Sequence, residues 1–364
     1  MTLMIFLTII LFLAAIEISI PFLVKRDVVF GVSIPEGHIK DAKLASYKRR
    51  YSLSIFFISV ASIAFYLLWI NHDNPVEELI VLYGTAIQLG IIFLSMALYF
   101  YFHAKTMKRK KEQKWGENFK KVKMADLAIR SQDEMLPWYL FVLPMAVTVG
   151  LIAYTAVQYR ILPEQIPFHW GADGMPDSFK AKNPFSVNVL PIILFIMQLL
   201  FLGINEATKR SGIKLSVANT EASRIRQLAL RKYSSWFMFM TSTLITMLFS
   251  FLQLTTIHEG LVGSVVMFAV PFIFLLIILI GTAVFAIKVG TAGEHTETHP
   301  VEGISDFDDD LYWRAGIFYF NKNDPSIFVE KRFGVGWTIN LANPIGYLII
   351  FGPLVIIFLI AFLA

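Results

Sequence analysis

Long apolar runs alternate along the chain with short polar or charged segments. Runs of roughly 20 apolar residues fall at 2–24, 51–70, 79–103, 138–157, 185–204, 236–257, 261–287 and 344–363. A helix of that length spans roughly 30 Å of hydrocarbon at 1.5 Å per residue. The pattern predicts an all-α integral membrane protein of about eight transmembrane helices. The first run is too long for a signal-peptide core. It ends in Phe22-Leu23-Val24-Lys25-Arg26 with no small-residue cleavage site, so it reads as a span. The seventh run is over-long and holds Pro271, which predicts tilt or a kink. Only His258-Glu259-Gly260 separates the sixth run from the seventh, a tight hairpin.

The cations sort the connecting segments into two classes. Of 32 Lys and Arg residues, 29 fall in 25–50, 104–137, 205–235 and 288–343, leaving Arg160, Lys180 and Lys182 in the alternate loops. By the positive-inside rule the cation-rich segments face the cytoplasm, and eight spans put both termini outside. The expected location is a bacterial cytoplasmic membrane. The expected first partner is its anionic inner leaflet, against which basic loops lie.

Composition supports this class. Hydrophobic residues make up 56% of the 364 positions, charged residues 16%, and mean hydropathy is +0.62; a soluble domain averages about 25% charged. The net charge of +5 would suggest nucleic acid only in a soluble chain, and no nucleic-acid partner is expected. With no cysteine in the sequence, disulfides, thiolate metal sites and a cysteine nucleophile are excluded. No intramembrane protease motif and no phosphate-binding loop is present: Phe333-Gly334-Val335-Gly336 lacks the Lys-Ser/Thr ending. The expectation is a protein that is not an enzyme and has no catalytic residues, no cofactor and no metal. His295 and His299, four apart beside Glu294 and Glu297, have a metal-binding spacing, but they lie in a poor helix former and read as a solvated linker.

Three connecting regions are long enough to carry a site. The basic loops 104–137 and 205–235 read as helical, the second capped by Asn219 or Thr220 and running into the sixth span. In 289–343, two aromatic and β-branched runs, 312–320 and 326–330, flank Asn321-Lys322-Asn323-Asp324-Pro325 and read as a β-hairpin in a small cytosolic element. Its candidate partner-binding residues are Trp313, Tyr319, Asp324, Arg332 and Trp337, with a cytosolic regulator as the expected partner. The loop 158–184 holds Pro163, Pro167 and Pro176 with Gly171 and Gly174, which rules out a regular helix and predicts an ordered loop. It presents Glu164, His169, Trp170, Asp173, Asp177 and Lys180 to a ligand or partner outside the cell, such as a peptide toxin or membrane protein. The same residues also fit a structural cap with Trp170 and Phe179 as interfacial anchors and Asp177–Lys180 as a local pair. Inside the spans, Glu17 is the one ionisable group well within an apolar run, and Gln88 is a further intramembrane polar group. The chain thus divides into 1–137, a three-span block; 138–205, carrying the ordered loop; 206–288, a basic loop with spans six and seven; 289–343, the small element; and 344–364, the last span.

Leu162-Pro163, Ile166-Pro167, His169-Trp170, Gly174, Pro176-Asp177 and Lys180 stand in an order that resembles a domain of unknown function in bacterial membrane proteins of the SdpI type, over roughly 138–205. Tyr312-Trp313, Gly316, Phe318-Tyr319, Asn321, Asp324-Pro325, Phe328-Val329, Lys331-Arg332, Gly334, Gly336-Trp337-Thr338 and Asn340 resemble a second, short uncharacterised domain of Gram-positive membrane proteins. The first resemblance implies immunity against a membrane-active peptide, or envelope-stress signalling in which a repressor is held at the membrane. A small-solute transporter and a scaffold subunit of a membrane complex are the alternatives.

Overall fold

The computed structural model describes residues 2–115, 120–122, 128–171, 175–213, 215–216, 219–258, 260–293, 296, 304–306 and 309–363. Eight helices dominate it: α1 (Thr2–Leu23), α2 (Ala42–Asp73), α3 (Glu77–Glu112), α4 (Trp138–Val157), α5 (Val189–Arg210), α6 (Thr220–Ile257), α7 (Ser264–Gly290) and α8 (Pro344–Leu363). The first seven are long and apolar enough to cross a membrane, and α8 is apolar over Pro344–Ile360. Their surfaces carry Phe57, Phe65, Leu68 and Phe93, each more than 60% exposed. Large apolar side chains turned outward along whole helices are stable in lipid, not in water. The chain is an all-α multi-pass membrane protein.

Helix ends follow local chemistry. Asp41 caps α2, its Oδ1 accepting from the N–H of Lys43 (2.9 Å) and of Leu44 (3.1 Å). The Arg109 guanidinium that hydrogen-bonds Asp41 holds its carboxyl below the ordinary value, against the upward push of burial. At the other end Asn74 stops α2 in the left-handed conformation (φ 42°) ahead of Pro75. Glu77 and Glu78 open α3, and Arg109, Lys110 and Lys111 close it, each sign matching the helix dipole. Asn219 caps α6, its Oδ1 accepting from Ala222 N–H at 3.3 Å. Among the described residues of 104–137, which include a 3-10 turn at Ala128–Gln132, the α-helical expectation is met as far as Glu112. There the chain turns back, Lys114 left-handed and Trp115 stacked on His38 at 4.8 Å. The connection between the sixth and seventh spans is longer than three residues, since α7 starts at Ser264.

The fold divides into two compact units. Unit 1 comprises Met1–Asp133, Gly212–Leu230 and Ala283–Ala342. In it α1, α2 and α3 pack around Ile10, Tyr66 and Ile91. Tyr66 donates to Ile80 O at 2.7 Å, and Gly84 lets the Phe6 ring and the Tyr66 hydroxyl approach where a Cβ would stand. Among the described residues ten short strand segments occur, eight of them in this unit. β1 (Val28–Val29) and β2 (Val32–Ser33) form a hairpin closed by Phe30 (φ 45°) and Gly31 (φ 74°), the two left-handed residues that a tight hairpin needs. β3 (Lys120–Val122) pairs in parallel with β6 (Ile304–Asp306).

Unit 2 comprises Glu134–Ser211, Arg231–Thr282 and Asn343–Ala364. It holds the antiparallel hairpin of β4 (Gln165–Trp170) and β5 (Pro176–Ala181). Its helices α4, α5 and α6 are joined by three polar rungs, each built on a buried carboxamide. Asn205 Nδ2 donates to Leu136 O (3.2 Å) while its Oδ1 accepts from Ser235 (2.7 Å). Gln198 Nε2 lies within bonding distance of Pro144 O (3.1 Å), Thr148 Oγ1 (2.8 Å) and Thr246 Oγ1 (2.8 Å). Gln253 Nε2 donates to Thr155 Oγ1 (3.1 Å) and Val187 O (2.9 Å). The seven-residue spacing of Gln198 and Asn205, of Thr148 and Thr155, and of Thr246 and Gln253 keeps each pair on one helix face. Interhelical bonds of this kind hold helices together where lipid offers no hydrophobic drive.

Candidate functional site

Within the ordered loop 158–184, β4 and β5 pair as an antiparallel hairpin. Its prolines fit because of register. Lys182 N–H donates to Glu164 O (2.9 Å), and pairing continues Gln165–Ala181, Ile166–Lys180, Pro167–Phe179. Antiparallel ladders alternate bonded and non-bonded pairs, which puts Pro167 at a non-bonded position where no N–H is required. Irregularities between Pro167 and Trp170 shift the alternation, so Trp170 shares a lining with Gln165 and Pro167. Ile166 is turned to the other side and packs, buried, with Leu162, Val187 and Ile257.

Between the first face and the start of α7 lies a cleft of about 370 Å³. The hairpin supplies Pro163, Pro167, Trp170, Met175, Pro176 and Phe179; Leu261, Val262 and Met267 close the far wall, and Gln165, Thr255, Thr256 and Ser264 add polar groups. A mostly apolar concavity with a few hydrogen-bonding groups suits an apolar side chain or hydrocarbon segment.

Of the five singled-out loop residues that are described, only Trp170 lines this cleft. His169 and Asp177 pair with each other, Nδ1 to Oδ1 at 2.6 Å, both largely exposed. That replaces the Asp177–Lys180 pair: the register sets Ser178 against His169, which brings Asp177 to the imidazole, while Lys180 lies over the Phe168 ring. Glu164 is solvated, 3.4 Å from Lys182. Asp173 lies outside the described residues, as do Glu294, His295, Glu297 and His299. Among the described residues no cluster of three His, Asp or Glu could hold a metal. Phe179, which the sequence marks only as an interfacial anchor, lines the cleft too, whereas Met175 and Met267, which it does not mark, are ordinary apolar residues until the register is known. Replacing His169 by alanine removes an exposed pair and is expected to cost less than about 1 kcal/mol in a denaturation experiment.

In unit 1 the element 309–342 is two hairpins, not one. β7 (Trp313–Arg314) pairs with β8 (Phe318–Tyr319), and β9 (Phe328–Glu330) pairs with β10 (Trp337–Ile339). The predicted pairing of 312–320 with 326–330 fails because side chains hold the intervening turn. Asn340, fully buried, donates to Asn321 O and Asp324 O (both 2.9 Å), and Tyr319 donates to Asp324 at 2.7 Å. Left-handed Ala315 and Gly316 close the first hairpin instead.

Four of the five candidate patch residues have inward-directed roles. Trp313 and Tyr319 are buried ring to ring at 5.0 Å, and Asp324 accepts the hydrogen bond of the tyrosine hydroxyl. Arg332, 6% exposed, lies over Trp313, donates to Gly31 O at 2.9 Å and ion-pairs with Asp309 and Asp310. Lys110 completes that group, 2.7 Å from Asp310. Burial pushes the Asp310 carboxyl upward, but Arg332 and Lys110 outweigh it and hold it below its ordinary value. Trp337 is half-buried in β10 opposite Glu330. Facing outward are the neighbours Leu311, Arg314, Phe318 and Phe320.

Glu330 itself anchors a second ion group. Its carboxylate meets Lys25 (2.8 Å), Arg226 Nε (2.8 Å) and Gln227 Nε2 (2.5 Å). Arg226 also donates to Gly290 O and Leu23 O, carbonyls at the ends of α7 and α1. It is thus a shared C-terminal cap for two helices. In the spans, Glu17 accepts from Tyr51 of α2 at 3.3 Å, and Gln88 Nε2 is buried with no partner among the described residues.

Two stretches match known sequence families: residues 146–195 a domain of unknown function (DUF1648), and residues 322–347 a family of unknown function (DUF5808). The first runs from α4 through the β4–β5 hairpin into α5; the second holds β9, β10 and the start of α8. Neither the curated proteins nor the solved structures contain a match to the chain. The chain is therefore a multi-pass membrane protein with two domains of unknown function, one spanning the hairpin that walls the cleft and the other most of the second hairpin region of unit 1.

Proposed function

We propose that this protein is a non-enzymatic recognition protein of the bacterial cytoplasmic membrane, akin to the SdpI-type immunity proteins. It binds the apolar segment of a membrane-active peptide in the cleft of unit 2. The cleft of about 370 Å³ between the β4–β5 hairpin and α7 carries this reading. Trp170 and Phe179 are the rigid aromatic anchors, the residue class that dominates binding energy at buried contacts. The cation distribution supports an outward-facing hairpin and a cytoplasmic unit 1 element. On that layout Arg314, Phe318 and Phe320 offer a surface to a cytosolic regulator.

The test compares a deletion strain with cells carrying wild type or the double variant Trp170→Ala, Phe179→Ala, each challenged with a panel of membrane-active peptides. Deletion is expected to sensitise cells to at least one peptide, and the double variant to restore less than a tenth of the protection. Equal sensitivity of all strains to every peptide rejects the reading. Because the chain has no cysteine, His169→Cys gives a single reporter of sidedness. Labelling by an impermeant maleimide on intact cells is the expected result, and labelling only after permeabilisation reverses the layout.

A further inference from the structure

The cation-rich ends of α2 and α3 lie side by side in unit 1. Arg109 Nε donates to Asp41 (3.0 Å), and the Phe102 ring meets those of Tyr47 (5.7 Å) and Tyr51 (6.4 Å). The antiparallel seam therefore runs through Tyr51 and Phe102. The next residue of each helix turns to one side of it. Ser52 donates to Ile18 O of α1 (2.7 Å), and His103 Nδ1 lies 2.7 Å from Phe30 O, in the turn that follows α1. A helix turns about 100° per residue, so the preceding residues, Arg50 and Tyr101, line the opposite side of the seam.

Seven-residue steps from these two stay on the same helix faces: Lys43, Arg50 and Phe57 on α2, and Leu94, Tyr101 and Lys108 on α3. The contacts across the seam set Lys43 level with Lys108, Arg50 with Tyr101, and Phe57 with Leu94. The result is a groove graded along its length. Phe57 (65% exposed), Leu94 (48%) and Tyr101 (53%) belong to the lipid-facing surface, and cations take over toward the helix ends. Lys105, one turn on from Tyr101, lays its ammonium over that ring at 4.5 Å and so comes level with Arg50. Among the described residues no carboxylate pairs with Lys43 or Arg50; Glu112 stands 3.7 Å from Lys108, and Asp41 is taken by Arg109.

We propose that this groove binds one anionic phospholipid, its phosphate on Arg50 and Lys105 and an acyl chain along Phe57 and Leu94. Two observations commit it to a lipid. The apolar half is continuous with helix faces that hydrocarbon covers. The cationic half complements a phosphate, two oxygens of which one guanidinium can bond at once. Lys43 and Lys108 stand about 10 Å further out, seven residues at 1.5 Å each. There they favour a headgroup of net negative charge over a zwitterionic one, whose own cation they repel. The site is separate from the cleft of unit 2 and does not depend on what that cleft binds.

The test uses the full chain in detergent, with lipid retention measured by native mass spectrometry. The probes are dioleoylphosphatidylglycerol and dioleoylphosphatidylcholine, which share their acyl chains. The wild-type protein is expected to bind the anionic lipid about tenfold more tightly. Arg50→Gln with Lys105→Gln is expected to cut that preference below about threefold. Arg49→Gln with Lys111→Gln removes the same charge from exposed positions off the groove, and should change the preference less than about twofold. Equal affinity of the wild-type protein for the two lipids overturns the proposal, as do equal losses in the two double variants. Competition by glycerophosphoglycerol, the same headgroup without acyl chains, at concentrations matching the lipid overturns it too, and marks a site for the anion alone.

Discussion

Replacing Glu330 by glutamine is expected to destabilise unit 1 by about 3 kcal/mol, near the lower end for breaking a buried ion pair. The Glu330 side chain is 6% exposed, Arg226 10% and Lys25 30%. The variant removes the carboxylate that both cations share; Lys25 keeps Asp27 and, being partly exposed, recovers some solvation. The effect reaches beyond one pair, because Arg226 also caps the ends of α1 and α7. Unfolding in detergent, followed by the protection of unit 1 against protease, measures it. A loss below 1 kcal/mol would show that the cations find water. The pH dependence has a defined sign. Burial raises the Glu330 carboxyl, yet Lys25 and Arg226 outweigh this and hold it below its ordinary value. Its contribution is therefore complete above the unfolded value of about 4.3 and is lost as pH falls through the lower folded value. Lys25 is lowered by burial but raised further by Glu330 and Asp27, so its net shift is upward. Its contribution is complete below about 10.4 and fades as pH rises through the folded value. Glu330→Gln should flatten the acid limb.

Gly31→Ala is expected to cost about 2–5 kcal/mol, the sum of a left-handed backbone penalty and overpacking. Gly31 has φ 74°, and a Cβ there would stand 2.4 Å from the Tyr99 hydroxyl and 2.7 Å from Gly316 Cα. Gly316 returns the constraint, its own Cβ position lying 2.9 Å from Gly31 Cα and from His103 Nδ1. Two left-handed turns meet backbone to backbone, locked by Tyr99 donating to Ala315 O (3.0 Å) and His103 Nδ1 against Phe30 O (2.7 Å). The readout is the midpoint of thermal unfolding, with Gly37→Ala as control, since a Cβ at Gly37 meets nothing within 4 Å. Equal midpoints for the two variants would mean that the turns separate at little cost.

The spans were legible because hydrocarbon thickness sets one length and lipid tolerates one pattern. Residues 138–157 and 344–363 agree with α4 and α8 nearly end to end. Helices that continue past the bilayer were not delimited: α2 starts at Ala42 and α6 at Thr220, where hydropathy has already fallen and caps decide. Around β4 and β5 the prolines and glycines foretell an ordered loop, but not strand pairing, which depends on a register that places Pro167 at a position without a ladder bond. Around Asn321-Asp324 the expected turn composition was present, but buried side-chain amides, not strand pairing, consume it. The aromatic residues of the element were noticed, yet which of two alternating neighbours points outward depends on pairing. Strand pairing turns Trp313 inward and Arg314 outward.

The lock between Gly31 and Gly316 also orders events in time. Arg332 reaches Gly31 O across 301 residues of chain, so the β1–β2 turn leaves the ribosome long before anything exists to cover it. The three-helix block must enter the bilayer and wait, with Phe30 and Tyr99 still missing Phe333 from their ring cluster. A ribosome stalled before Asp309 would release an inserted but unlatched chain. Assembly of unit 1 is thereby tied to synthesis of the segment Ala283–Ala342.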